Sequence, residues 1–281
     1  GAAAGGALTL ATAVTSLYFL PLRNLIGSVH RWRSTMPILI YDLGLRANES
    51  AEIDRWHGVT RIPFPLHDAA APLNNPRSFA WKPIVMADAL RRAPVVLYQD
   101  AGQELRQDPV AVERILLAQG SLFVVQDGLR TACQCCGPAL ELMHPTTLSH
   151  LSVEETALWA RPMCAGGIQG YVRGSLAHLT VLAMAEQCAS FVDCITPPNA
   201  SGKNHRFDQS VFTALLHSGG FHCHDDLSLW GKVCHPRLYP LATQPDPVEG
   251  IPSILFTRHR FTNIYPFARF LQRVSRGNDT V

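Results

Sequence analysis

Residues 94–105 read PVVLYQDAGQEL. The apolar run through Val95, Val96 and Leu97 suits a strand covered on both faces, since neither side of it tolerates water. Residues 81–92 (WKPIVMADALRR) lead straight into it and predict a helix. Pro83 falls in its first turn, where a missing N–H costs nothing, and Arg91 and Arg92 complement the negative end of the helix dipole. A helix feeding a doubly covered strand is half of a βαβ unit, so the fold class is α/β. The strand ends in Gln99-Asp100, and ligands of open α/β sheets bind outside the carboxyl ends of parallel strands. Asp100 is therefore the first candidate site residue.

Working outward, residues 8–19 (LTLATAVTSLYF) predict a strand and 22–32 a helix, because Leu22, Leu25, Ile26 and Val29 recur at helical spacing. Residues 37–42 (PILIYD) predict a second strand, a helix follows around 51–56, and 61–64 closes a third strand. Beyond the central run, 109–118 predicts a helix, 121–125 (SLFVV) a strand and 128–137 a loop. The second half is less regular: a strand near 168–172, helices over 174–189 and 207–217, and short apolar pieces at 227–230 and 252–256. No repeat or coiled coil interrupts this pattern.

Composition sets limits. The 281 residues suffice for one large domain or two small ones, and a 47% apolar, 16% charged chain buries a substantial core. A net charge of +2 with scattered cations offers no basic stripe, so nucleic acid is not an expected partner. Residues 1–22 carry no charge, but Gly, Thr and Ser dilute them and no basic segment precedes them, so a buried strand is expected there rather than an anchor. The absent initiator Met leads to the expectation that the native N-terminus has been removed, together with any signal peptide or signal anchor it carried. Eight cysteines and three acceptor sequons, at Asn48, Asn199 and Asn278, favour the secretory pathway and at least one disulfide.

Three further motifs lie in a telling order. VVLYQDAGQEL resembles the strand-then-Asp-x-Asp element of GT-A glycosyltransferases, in which an acidic pair binds a divalent metal and the donor ribose. Here Gly102 takes the second acidic position, and the next carboxylate is Glu104. Residues 205–217 (HRFDQSVFTALLH) resemble the Asp-Gln element that opens a late helix in glycogenin-like and bacterial galactosyltransferase-like members, beside the anomeric carbon. Residues 164–175 (CAGGIQGYVRGS) occupy the place of their small-residue loop, and Gly166 and Gly167 permit close backbone approach. The stretches 24–45, with its YDLGL run, and 79–84 (FAWKPI) are similar to a eukaryotic group of GT-A proteins. The resemblance spans roughly residues 12–230.

What the resemblance implies is a single GT-A domain over 1–281, with a nucleotide-binding half over about 8–127 and an acceptor and catalytic half over about 128–281. It implies an enzyme that moves a sugar from a nucleotide-sugar donor to a hydroxyl acceptor, expected to be a glycan or glycoprotein, and the cysteines and sequons lead to the expectation of the ER or Golgi lumen. Thr15 and Ser16 then contact the nucleoside, Lys82 the donor or its phosphates, and Asp100, Gly102, Gly166 and Gly167 the donor. Asp208 and Gln209 are the catalytic pair, either with Asp208 as general base of an inverting displacement or with both lying under the sugar in a retaining one. The implied cofactor is Mn²⁺ or Mg²⁺ on Asp100, with His224 as the second ligand if the His222-Cys223-His224-Asp225-Asp226 cluster supplies one.

Each residue also has a structural reading. Gly166 and Gly167 suit a tight turn, Asp208 a helix start, Lys82 a solvated first-turn cation, and Cys223 a disulfide with Cys234. Two other functions compete: a GT-A-like module that has lost catalysis with its second acidic residue, and a metal-dependent hydrolase built on Asp100, His222, His224 and Asp226.

Overall fold

The first strand, β1 (Leu8–Val14), is buried at all seven positions. The computed structural model of the chain describes residues 6–64, 66–126, 138–226, 228–232, 253–257 and 265–274. In chain order, α1 (Phe19–Arg33), β2 (Ile38–Asp42), α2 (Ala47–Ile53) and β3 (Val59–Pro63) follow. Next come α3 (Trp81–Arg92), β4 (Val95–Gln99), β5 (Gln103–Leu105), α4 (Val110–Gln119) and β6 (Ser121–Val125). The second half holds α5 (Pro145–Leu151), β7 (Cys164–Val172), α6 (Ala183–Cys188), α7 (Val192–Ile195), α8 (Asp208–Ser218), β8 (Trp230–Lys232) and β9 (Leu255–Thr257). The expected α/β class holds.

Three expected elements end differently, and one of them, the helix expected around 51–56, runs over Ala47–Ile53. The first strand stops at Val14 rather than residue 19, because Phe19 already begins α1 and Pro21 sits in that helix's first turn, where it fits without loss of a hydrogen bond. The expected loop at 164–167 is the first part of β7, which pairs with β6 again at Val125 and Cys164 after a shift of register past Phe123.

Among the described residues the main sheet has the order β3-β2-β1-β4-β7-β6. β1 pairs in parallel with β2 and β4, β2 with β3, and β7 runs antiparallel to both β4 and β6. The chain builds β1, β2 and β3 in one direction, then crosses to place β4 on the other side of β1. That reversal opens a crevice beyond the carboxyl ends of β1 and β4. A small second sheet, β5-β9-β8, is tied to α1, where Asn24 donates to Glu104 at 2.7 Å and the Leu105 N–H donates to Ser28 at 2.9 Å.

Apolar side chains from Leu8 to Leu255 form one contiguous buried cluster. α3 packs on β1 and β4, and α8 on β7, so both helices present their N-terminal turns to the same end of the sheet. No helix among the described residues is long and apolar enough to cross a membrane. Two disulfides form there, Cys164–Cys223 and Cys188–Cys194. The expected pairing of Cys223 with Cys234 is thereby corrected. Cys133, Cys135, Cys136, Cys234 and the Asn278 sequon lie outside the described residues, while Asn48 and Asn199 are exposed.

Candidate active site

Strand alternation puts Tyr98 and Asp100 on one face of the β4 end. The Tyr98 hydroxyl donates to Asp100 Oδ1 at 2.9 Å, and burial, reinforced by the Asp100 charge, holds the phenol protonated well above its ordinary pKa. Asp100 is fixed from the backbone as well, since its N–H donates to the Gly167 carbonyl at 2.9 Å.

Lys82, in the first turn of α3, is the centre of the site. Its Nζ lies 3.2 Å from Asp100 Oδ1, 2.9 Å from Asp208 Oδ2 and 3.3 Å from the Gly166 carbonyl. The residue is 3% exposed, with the rings of Phe79, Trp81 and Tyr98 centred 5.3, 5.7 and 5.8 Å from the ammonium. Burial alone would lower its pKa, but the two aspartates outweigh that and raise it above the ordinary lysine value. Lys82 is not a solvated cation. It is a permanent positive charge buried between two carboxylates.

Asp208 opens α8, yet it is not the helix cap: the N-cap is Phe207, and no side-chain cap forms there. Burial raises the Asp208 pKa and the Lys82 charge pulls it back, with Asp100 raising it again, for a net value of about 6. The contact with Lys82 is close but oblique, an ion pair rather than a well-aligned hydrogen bond. The rest of the HRFDQS run locks this turn. The buried His205 ring lies 3.1 Å from the Ile195 carbonyl, and the Ser210 hydroxyl donates to Leu142 at 2.6 Å. Gln209 donates to the Cys164 carbonyl at 2.9 Å and to Gln126 at 3.3 Å, tying α8 to the start of β7 and the end of β6.

The glycines of β7 are needed for proximity rather than for a turn. A Cβ on Gly167 would stand 2.5 Å from Asp100 Oδ2, and one on Gly166 would stand 3.0 Å from Asp208 Oδ2. Neither has a positive φ. The expected tight turn is absent, and the side-chain-free backbone lets two carboxylates rest against a strand.

These groups line one cavity of about 680 Å³, together with Thr15 and Gly102. Leu17, Tyr18 and Leu43 form an apolar side of it, while Arg77, Phe79 and Phe207 stand at another. Phe79 and Phe207 touch, with ring centroids 6.2 Å apart, and both adopt left-handed backbone at φ 54°. Such backbone costs about 1–3 kcal/mol in a non-glycine residue and gathers at ligand-binding positions. A second hollow of about 510 Å³ opens at the opposite end of β1, and its Arg33 is already paired with Asp108 and Glu113.

Two sequence candidates fall outside the cavity. Ser16 binds Glu49 and receives the Arg46 N–H at 3.2 Å, so it ties β1 to the turn after β2. In that turn Asp42, of the YDLGL run, accepts the Gly44 and Leu45 N–H groups at 3.0 and 2.8 Å. His224 extends the sheet beyond β6, with β6 and β7 between it and β4. Its ring turns to Gln119, at the end of β6 away from the cavity.

The expected divalent ion does not fit this set. Among the described residues no three His, Cys, Asp or Glu side chains converge on a metal position. Gly102 has no side chain to offer, and Glu104 is wholly buried against Asn24 and Arg106. Asp100 already shares the Lys82 ammonium with Asp208. Residues that sequence reasoning missed are Tyr98, Gln126, Arg77, Arg206 and the two phenylalanines. Strand periodicity alone could have found Tyr98.

No family model and no curated protein matches the sequence. Solved structures do match the fold. An active-site mutant of LgtC superimposes with a TM-score of 0.56 at 15% identity, covering 93% of each chain. The galactosyltransferase LgtC in complex with donor and acceptor sugar analogues gives 0.52 at 13%, covering 95% of this chain and 97% of that one. The WbbM bifunctional glycosyltransferase gives 0.50 at 12%, covering 83% of this chain and 41% of that one. Such identities carry the fold and nothing finer: the chain has the GT-A fold of the glycosyltransferases.

Proposed function

We propose that the protein is a glycosyltransferase of the secretory pathway, transferring a sugar from a nucleotide-diphosphate-sugar to the hydroxyl of a glycan or glycoprotein. The observation that carries this reading is the single crevice at the strand-order reversal, where Asp100, Lys82 and Asp208 meet beside a glycine-lined wall. A GT-A neighbour holds donor and acceptor sugar analogues. The cavity, at about 680 Å³, has room for a nucleotide-sugar. The two disulfides support an oxidising compartment.

In the reaction, the apolar side at Leu17, Tyr18 and Leu43 takes the base, and the charged end takes the diphosphate and sugar. Asp208, ionised above pH about 6, either accepts the acceptor hydroxyl's proton as the nucleoside diphosphate leaves, or lies with Gln209 beneath the sugar while the bond is broken and remade on one face. Lys82, itself shielded from water, neutralises negative charge, and a shielded charge acts more strongly than an exposed one.

Gly102 sustains a second reading, a GT-A module that binds donor or partner without transfer. The hydrolase reading loses support, since His224 lies two strands from Asp100. The deciding measurement is a screen of nucleotide-sugars for thermal stabilisation and for release of nucleoside diphosphate, with and without glycan acceptors. Stabilisation with acceptor-dependent release supports transfer, stabilisation alone supports the binding module, and neither overturns both.

A further inference from the structure

The charges of the crevice do not add up to a metal site. Both of its carboxylates, Asp100 and Asp208, are spoken for by the ammonium of Lys82, at 3.2 and 2.9 Å. A divalent cation on Asp100 would stand beside a buried positive charge that three aromatic rings and a backbone carbonyl hold in place. At an effective dielectric of about 20, two such neighbouring charges repel by several kcal/mol.

Two more cations face the same space. Arg77 and Arg206 both line the cavity, and neither forms an ion pair among the described residues. They are carried by the two segments that meet through Phe79 and Phe207. Arg206 is half-buried, with its Nε shielded from solvent and given no acceptor. A guanidinium so placed lacks an anion, and its planar fork matches phosphate oxygens.

We propose that the chain binds the diphosphate of its donor with protein cations, Arg77 and Arg206 supported by Lys82, and needs no divalent metal to do so. The inference rests on the nucleotide-sugar reading above. Three cations against two carboxylates leave the crevice with a net positive charge, the complement of a diphosphate. A metal would otherwise supply that charge.

The test is calorimetric titration of UDP, GDP, ADP and CDP into the full chain, first in excess EDTA and then in millimolar MnCl₂. At least one nucleotide should bind in EDTA with an affinity within about twofold of that in Mn²⁺. Arg77→Gln and Arg206→Gln should each weaken it by about tenfold, the worth of one charge-assisted contact. Their melting temperatures and circular dichroism should stay near those of the wild type. Loss of binding in EDTA with recovery in Mn²⁺ would overturn the inference and leave the nucleotide-sugar reading standing. Wild-type affinity in both arginine variants would overturn the assignment of the cations. Binding of no nucleotide under either condition would overturn the inference together with the reading beneath it.

Discussion

The role of Asp208 turns on one competition: burial pushes its carboxyl up and Lys82 pulls it down, for a net value of about 6. If its carboxylate does the chemistry, turnover should rise as pH climbs through about 6 and level off above. Asp208→Asn should abolish most turnover and the acid limb with it, while donor affinity changes little, because the lost interaction belongs to the transition state. A variant with wild-type turnover would reduce Asp208 to a structural residue. Stability follows the opposite sign. The folded-state pKa lies above the unfolded value of 3.8, so protonated Asp208 favours the native state below about pH 4, and this contribution is lost as pH rises to about 6. Lys82→Met should expose the same balance from the other side. It leaves Asp100 and Asp208 facing each other without a counter-charge, costing about 3 kcal/mol at pH 8 and less at pH 5, where Asp208 takes up a proton. Denaturant melts at the two pH values decide it, and equal losses would contradict the pairing.

At the scale of elements, β7 is the wall against which the site is assembled. It pairs with β4 through Tyr98 and Gln169 and with β6 through Phe123 and Gln169, so its backbone is anchored on both edges. At Gly167 the carbonyl also accepts the Asp100 N–H at 2.9 Å, which holds that residue close to the carboxylate. Gly167→Ala sets a methyl group against Asp100 and should lower transfer or nucleotide affinity by ten- to a hundredfold, in line with the cost of an ångström-scale misplacement. Circular dichroism should be unchanged, since the strand conformation itself tolerates alanine. Full activity in that variant would show that Asp100 can move without consequence. The turn after β2 has a different logic. Asp42 and Glu49 are consumed by local hydrogen bonds, so the YDLGL run shapes the rim and leaves the chemistry to its neighbours.

Across the whole molecule, the two disulfides do unequal work. Cys164–Cys223 closes a loop of separation 59 and fixes the start of β7 to the segment after α8, whereas Cys188–Cys194 closes a separation of only 6. Chain entropy predicts a loss of about 4 kcal/mol when Cys164 and Cys223 are both replaced by alanine, and roughly half that for the second pair. Chemical unfolding of the two double variants tests the order, and mass spectrometry after alkylation without reduction should find these four cysteines protected. The sequence by itself determined the α/β class, the helix over Trp81–Arg92, the strand ending before Asp100 and the helix opened by Asp208, because each is written in local periodicity and helix-end chemistry. It also named Lys82, Asp100, Asp208 and the β7 glycines as candidates. Only the tertiary structure decided that Lys82 bridges the two aspartates, that Ser16 and His224 stand outside the cavity, and that Arg77 and Arg206 stand within it. Those facts depend on which strands become neighbours and on loops without period, and spacing along a chain carries no record of a contact between residues 82 and 208.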